Sequence, residues 1–198
     1  MVNEDTEYCH MFYEKALSFV LHSEFRNEME IQDKLVFDRI TPEQFMSEFA
    51  FVVLSAGMKN QVVVGMMKKL VESDWNPDVI NHDLKRKAII EGINNYPKWF
   101  AELKSKTTDR AKVEYLETLP FIGKITKYHL AKNIGIDCVK PDRHLVLLAK
   151  EFKYDNPRFM CEFLATQFNQ KLRVIDVVLW RYCNMHPDVM KAMKNKVL

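Results

Sequence analysis

Residues 112–152, KVEYLETLPFIGKITKYHLAKNIGIDCVKPDRHLVLLAKEF, decide how the rest of the chain is read. Val113, Leu116 and Leu119 recur at the spacing of a helix face, and Thr108 or Asp109 can cap that helix. Pro120 cannot continue it, and only Phe121, Ile122 and Gly123 separate it from a second helical run over 124–134. A break that short folds two helices into an αα-hairpin. Gly135 is placed to end the second helix, and Pro141-Asp142 opens a third that buries Leu145, Leu148, Ala149 and Phe152. Backbone N–H groups at a tight turn leading into a helix N-terminus favour anions such as phosphate. Glycine at 123 leaves the backbone open to close approach. Lys124, Lys127 and Lys132 on the second helix, with Lys140 and Arg143 beside Asp142, supply a local basic footprint.

Outward from this segment the periodicity stays helical. Residues 7–21 place Phe12, Ala16, Phe19 and Val20 on one face, and Ile31, Leu35, Val36 and Ile40 follow. Thr41-Pro42-Glu43-Gln44 combines a threonine cap, proline at the first helical position and glutamine three residues after the cap. The helix it starts, 42–56, is apolar almost all round through FAFVVLSA, which predicts a buried central helix. A polar break at 57–60 precedes a helix over 61–72, and Asn76-Pro77 marks a turn. Helical spacing resumes over 83–93 and continues through Tyr96, Trp99, Phe100 and Leu103. Asn156-Pro157 opens a helix holding Phe159, Phe163, Leu164 and Phe168, then come 174–182 with Trp180 and a short helix after Pro187. The fold class read from this pattern is all-α, in one domain or one domain split into two lobes.

Composition excludes several function classes. With 29 basic and 27 acidic residues the net charge is +2, so a nucleic-acid role must rest on local clustering. Cys9, Cys138, Cys161 and Cys183 are scattered without metal-ligand spacing, so neither an iron–sulfur cluster nor a zinc site is encoded in recognisable form. The N-terminal MVNEDTEYCH lacks a signal-peptide pattern and no apolar run approaches the ~20 residues of a membrane span. The expectation is a protein of the cytoplasm (nucleoid) or nucleus, not secreted, with no membrane partner.

Leu119-Pro120-Phe121-Ile122-Gly123-Lys124-Ile125-Thr126, followed past one helix by Pro141-Asp142-Arg143-His144, resembles the signature of the helix-hairpin-helix DNA glycosylase superfamily, which includes endonuclease III and the 8-oxoguanine and alkyl-base glycosylases. The likeness runs from about Thr41 to Phe152 and more loosely to Cys183. It implies a two-lobed helical fold with a DNA-binding cleft between the lobes: a central lobe over 41–135 containing the hairpin at 112–134, and a second lobe from 1–40 plus 136–198. It makes Asp142 the catalytic carboxylate, since breaking a base–sugar bond builds oxocarbenium-like charge that a carboxylate stabilises. It also implies a monomer, expected to need no metal or organic cofactor, acting on double-stranded DNA from which the base is flipped out, because no base is reachable inside the stack. Phosphate contacts fall to the backbone around Ile122, Gly123, Lys124 and Thr126, with Lys127, Lys140 and Arg143. Met58 or Lys59, in the break after the buried helix, takes the place of the loop that fills the hole left by the flipped base. Trp180, Tyr96, Trp99 and His144 are the candidates for the base pocket.

Two positions depart from the superfamily pattern. Members with lyase activity carry a lysine two residues after the second hairpin glycine, where it forms a Schiff base with the sugar. This chain has Ile125 there, which implies hydrolysis without a covalent enzyme–sugar intermediate. Phe121 replaces the first hairpin glycine, so the turn geometry is in question. Against these readings stand plainer ones: an aspartate after proline is by default a helix cap, His144 and His129 are structural, lysines coat helices, and helical aromatics belong to cores. The alternatives to a monofunctional repair glycosylase are a DNA-binding module without catalysis, a glycosylase acting on hypermodified phage bases in defence, and a helical interaction protein with no DNA role.

Overall fold

The computed structural model describes residues 4–197 and, among them, contains helices and turns but no strand. In chain order the α-helices are α1 (Glu4–Leu21), α2 (Arg26–Lys34), α3 (Pro42–Ser55), α4 (Asn60–Glu72), α5 (Asp83–Lys104), α6 (Asp109–Leu116), α7 (Thr126–Asn133), α8 (Arg143–Glu151), α9 (Pro157–Phe168), α10 (Leu172–Met185) and α11 (Pro187–Val197). Short 3-10 turns at Phe37–Arg39 and Pro77–Val79 join them. None of the described helices is long and apolar enough to cross a membrane. The chain divides into two compact units, one formed by Met1–Leu35 with Asp137–Leu198 and the other by Val36–Ile136. Residues 1–3 and 198, at the ends of the expected second lobe, lie outside the described residues.

In the Val36–Ile136 unit, α3 is the central helix. Its start follows the sequence: Thr41 Oγ1 accepts the Gln44 N–H at 3.2 Å while Gln44 Oε1 accepts the Thr41 N–H at 2.9 Å. Phe45, Met46, Phe49, Ala50, Val52, Val53 and Leu54 are all buried. α5 crosses α3 at Gly92, where a Cβ would lie 2.8 Å from the Phe49 ring and 3.0 Å from the end of Met46, so a larger residue would force those side chains to shift. The 3-10 turn at Phe37–Arg39 belongs here, because Phe37 packs on Phe100 with ring centroids 6.1 Å apart. The unit therefore begins before Thr41, the start expected for the central lobe.

In the unit formed by the two chain ends, α10 lies at the core and packs against α1, α2, α8, α9 and α11. Phe12 of α1 meets Tyr182 of α10 edge-on at 5.3 Å and Phe152 at 5.4 Å. Arg173, 4% exposed, ties the N-terminal segment to α10: its Nε donates to Gln32 O at 2.7 Å and its Nη2 to Leu35 O. Asp137 in turn accepts the N–H groups of Leu172 and Arg173 at the start of α10. A buried guanidinium satisfied by backbone carbonyls and a carboxylate fixes the register of segments far apart in sequence.

Candidate active site

The hairpin is built on the Val36–Ile136 unit. α7 is held against α3 by Asn133, whose Nδ2 donates to Glu48 Oε2 at 2.8 Å, and by the edge contact of His129 with Phe51 at 6.0 Å. Burial pushes the Glu48 carboxyl up, against the opposing effect of the Asn133 hydrogen bond. At its far end α7 stops at Gly135, whose φ of +84° and the bond from Ile136 N–H to Ala131 O at 2.9 Å form the expected glycine C-cap.

Inside the turn the expected phosphate grip is narrower than the sequence suggested. Ile122 is 6% exposed and its N–H donates to Leu119 O at 3.1 Å, so neither its side chain nor its amide is open to DNA. The Gly123 N–H donates to Thr126 Oγ1 at 2.7 Å, and that hydroxyl faces back to Gly123 O at 3.3 Å. The N–H groups of Lys124, Ile125 and Thr126 make no hydrogen bond among the described residues. Three such donors in succession at the start of α7, beside the exposed Lys124 side chain, form the anion-favouring part of the turn. Thr126 contributes through its amide while its hydroxyl braces the turn. Lys127 does not face outward: it is ion-paired with Glu117 across the hairpin, which raises its pKa, and lies 5.4 Å from the Tyr128 ring. It staples the two hairpin helices together.

The two departures from the superfamily pattern take definite form. Phe121, at the place of the first hairpin glycine, adopts φ +65°, the left-handed region, so the conformation glycine would supply is held by a phenylalanine. His82 meets its ring edge-on at 6.3 Å and the Lys85 ammonium lies 5.9 Å from the ring centroid. Gly123 is outside the left-handed region, and a Cβ there would meet nothing within 4 Å. Neither backbone nor packing requires glycine at 123. Ile125 is 44% exposed and offers an aliphatic side chain where lyase members offer an amine.

Lys85 is a residue the sequence did not single out. It is 2% exposed, and its Nζ donates to Leu54 O and Ala56 O, each at 2.7 Å, satisfying the carbonyl end of α3. Burial lowers its pKa. With Gly57 at φ +73° it shapes the break that carries half-buried Met58 and exposed Lys59. Lys85 thus touches both the carbonyls of this break and the Phe121 ring. In the sequence it stands among other charged residues in DLKRK and nothing distinguishes it.

Asp142 is built on the other unit. It is the N-cap of α8: one oxygen, Oδ1, accepts the N–H groups of His144 at 2.9 Å and Leu145 at 3.1 Å. Its other oxygen, Oδ2, makes no hydrogen bond among the described residues. The plain reading of an aspartate after proline as a helix cap holds, and the cap occupies only one of the two carboxylate oxygens. The segment before it is set by Asp176, which is 2% exposed on α10 and accepts the Lys140 N–H at 2.6 Å. The Asp142 N–H then donates to Lys140 O at 2.8 Å across Pro141. Asp176 was also missed, although a lone acid in the apolar run VIDVV is a legible signal. Cys183, buried near this carboxylate, has its thiol pushed up to about 12, first by burial and then by the Asp142 charge.

Of the remaining expected residues, Arg143 is exposed and Lys140 is half-buried, contributing its backbone as described. His144 has its pKa lowered, chiefly by burial and also by Arg143, with Asp142 acting in the opposite direction. Trp180 packs on the core around α10, and the Arg181 guanidinium, itself ion-paired with Glu28, lies 4.6 Å from its ring. Trp99 meets Phe49 edge-on at 5.5 Å, so its ring serves the core of the Val36–Ile136 unit. Tyr96 is half-buried on the same helix. Hence Trp99 and Trp180 have their rings engaged in packing, and His144 is the base-pocket candidate that adjoins Asp142 in the chain.

No protein-family model matches the chain, and no curated relative matches it. Solved structures do. The Methanocaldococcus jannaschii 8-oxoguanine glycosylase/lyase in complex with 15mer DNA containing 8-oxoguanine aligns with 86% of this chain and 95% of its own at 18% identity and a TM-score of 0.64. A second structure of the 8-oxoguanine DNA glycosylase from that organism aligns with 90% of this chain and 96% of its own at 17% identity and a TM-score of 0.66. The 8-oxoguanine DNA glycosylase of Thermotoga maritima covers 88% and 93%, at 17% identity and a TM-score of 0.62. The fold is that of the helical DNA glycosylases, over nearly the full length of both partners. At this identity the likeness establishes the fold alone.

Proposed function

We propose that this protein is a monofunctional DNA glycosylase: it hydrolyses the N-glycosidic bond of a damaged, mispaired or modified base flipped out of duplex DNA and leaves an abasic site. The observation that carries the reading is the divided use of the Asp142 carboxylate, with Oδ1 fixed by two backbone N–H groups and Oδ2 open. As the C1′–N bond breaks, its electron pair leaves on the base and positive charge gathers on the sugar, where the Oδ2 charge stabilises it. Water then adds to C1′, and its proton passes by way of the carboxylate to the departing base. The amides of Lys124, Ile125 and Thr126 take a backbone phosphate through the hairpin. The neighbours of like fold are described as 8-oxoguanine enzymes, which makes 8-oxoguanine the first base to test.

The absence of an amine at Ile125 supports hydrolysis without a lyase step. Incubation of the protein with duplexes carrying a panel of modified bases should release one free base and leave an intact abasic strand, and borohydride should trap no protein–DNA adduct. A trapped adduct mapping to Lys124 would overturn the monofunctional reading. Salt-sensitive DNA binding with no base released from any member of the panel would favour the non-catalytic module.

A further inference from the structure

A cavity of about 580 Å³ opens between α8 and α11, within the ~300–1,000 Å³ range of ligand sites. Its apolar part is Val146, Leu147 and Met190, and the His144 ring adjoins them. Four cations line it, Arg143 and Lys150 from α8 and Lys191 and Lys194 from α11, all exposed. Arg143 and Lys150 stand two turns apart on one face of α8, about 10 Å along the axis, with Val146 and Leu147 between them. Lys191 and Lys194 share a face of α11.

These four cations gather around one cavity, whereas many cations elsewhere on the molecule are held in ion pairs. Lys34, Lys68, Lys98, Lys112, Lys127 and Lys171 each have a carboxylate within 4.0 Å. None of the four around the cavity has one among the described residues, a state they share with Lys59, Lys69, Lys87 and Lys124, but here four such cations line one cavity. Asp188 stands three residues before Lys191 on α11 without an ion pair to it, and gathering four like charges around one cavity costs mutual repulsion. A second observation coincides with the first: His144 Nδ1 is buried without a hydrogen-bond partner.

We propose that this cavity seats a nucleotide of single-stranded DNA, such as a gap or tail leaves beside a duplex, with phosphates on Arg143, Lys150, Lys191 and Lys194 and the base against His144, Leu147 and Met190. Paired DNA offers phosphates but keeps its base faces stacked, which leaves the apolar floor unused. A neutral apolar ligand leaves four cations unused. An unstacked nucleotide supplies both surfaces, the combination by which single strands are held. The inference rests on the protein being a DNA-binding enzyme, but not on the chemistry of Asp142.

The test is fluorescence anisotropy with a blunt duplex and with the same duplex carrying a short thymidine tail, for the native protein and for K150A/K191A/K194A. The native protein should bind the tailed DNA roughly tenfold more tightly at moderate salt, and the variant should bring that ratio to about one. The three lysines are exposed, and circular dichroism verifies that the variant is folded. A native protein without tail preference overturns the proposal, as does a variant that weakens on both DNAs alike and keeps the ratio. Failure of the native protein to bind either DNA overturns the DNA reading itself, so the two failures are distinguishable.

Discussion

Phe121 holds a conformation that costs an L-residue about 1–2 kcal/mol, while its ring, 37% exposed, meets His82 and Lys85. Two substitutions separate the strain from the contacts. Phe121→Ala removes the ring and keeps the strain, and should destabilise the protein by about 1–2 kcal/mol. Phe121→Asn introduces a residue that tolerates the left-handed region, and the loss should fall to under about 1 kcal/mol. Urea midpoints decide it; an equal loss for both variants means that the turn stores no strain. His144 gives a pH dependence. Its folded-state pKa lies below the ordinary value, so as pH falls through about 6.5 the unfolded chain binds a proton that the folded chain refuses, and stability is lost. His144→Phe should flatten the melting temperature between about pH 7.5 and about pH 5.5; an unchanged slope would show that His144 titrates normally. The sequence drew attention to Phe121 and His144 but carried no sign of φ or burial, since both depend on neighbours distant in the chain.

At the level of elements, the caps were legible because they are local. Thr41, Thr108, Asp142 and Asn156 each accept a backbone N–H two or three residues on, and the residue type announces it. The internal bracing of the hairpin was not legible. Whether Lys127 reaches a phosphate or Glu117, and whether the Gly123 amide is open or bonded to Thr126, is set by side-chain directions within the turn. Lys85 illustrates the long-range part: its partners, Leu54 O and Ala56 O, lie on another helix, and no spacing rule connects them. Lys85→Met fills the space but strips both carbonyls of their donor, and should cost about 2 kcal/mol. If the 56–60 break acts on DNA, the same variant should weaken DNA binding under conditions where it stays folded. Anisotropy and urea titration on one preparation read both quantities; native-like values in each would remove Lys85 from any organising role.

For the whole molecule, the all-α class and helix order were readable from periodicity, whereas the division between units falls before Thr41, where Phe37 packs on Phe100 and Lys104 Nζ donates to Asp38 O at 2.9 Å. The Val36–Ile136 unit is a continuous stretch inserted between the two parts of the other. The hairpin belongs to the inserted unit and Asp142 to the interrupted one, each held by polar anchors: the half-buried Asn133–Glu48 pair for the former, and buried Asp176 and Arg173 for the latter. The central claim is that the Asp142 carboxylate performs hydrolysis, and Asp142→Asn tests it most directly because asparagine is an equally good helix cap. On the modified duplex from which the native protein releases a base, the variant should release it about 10³-fold more slowly, with unfolding stability within about 0.5 kcal/mol and DNA affinity close to native. Base release by the folded variant at a rate near that of the native protein would contradict the claim.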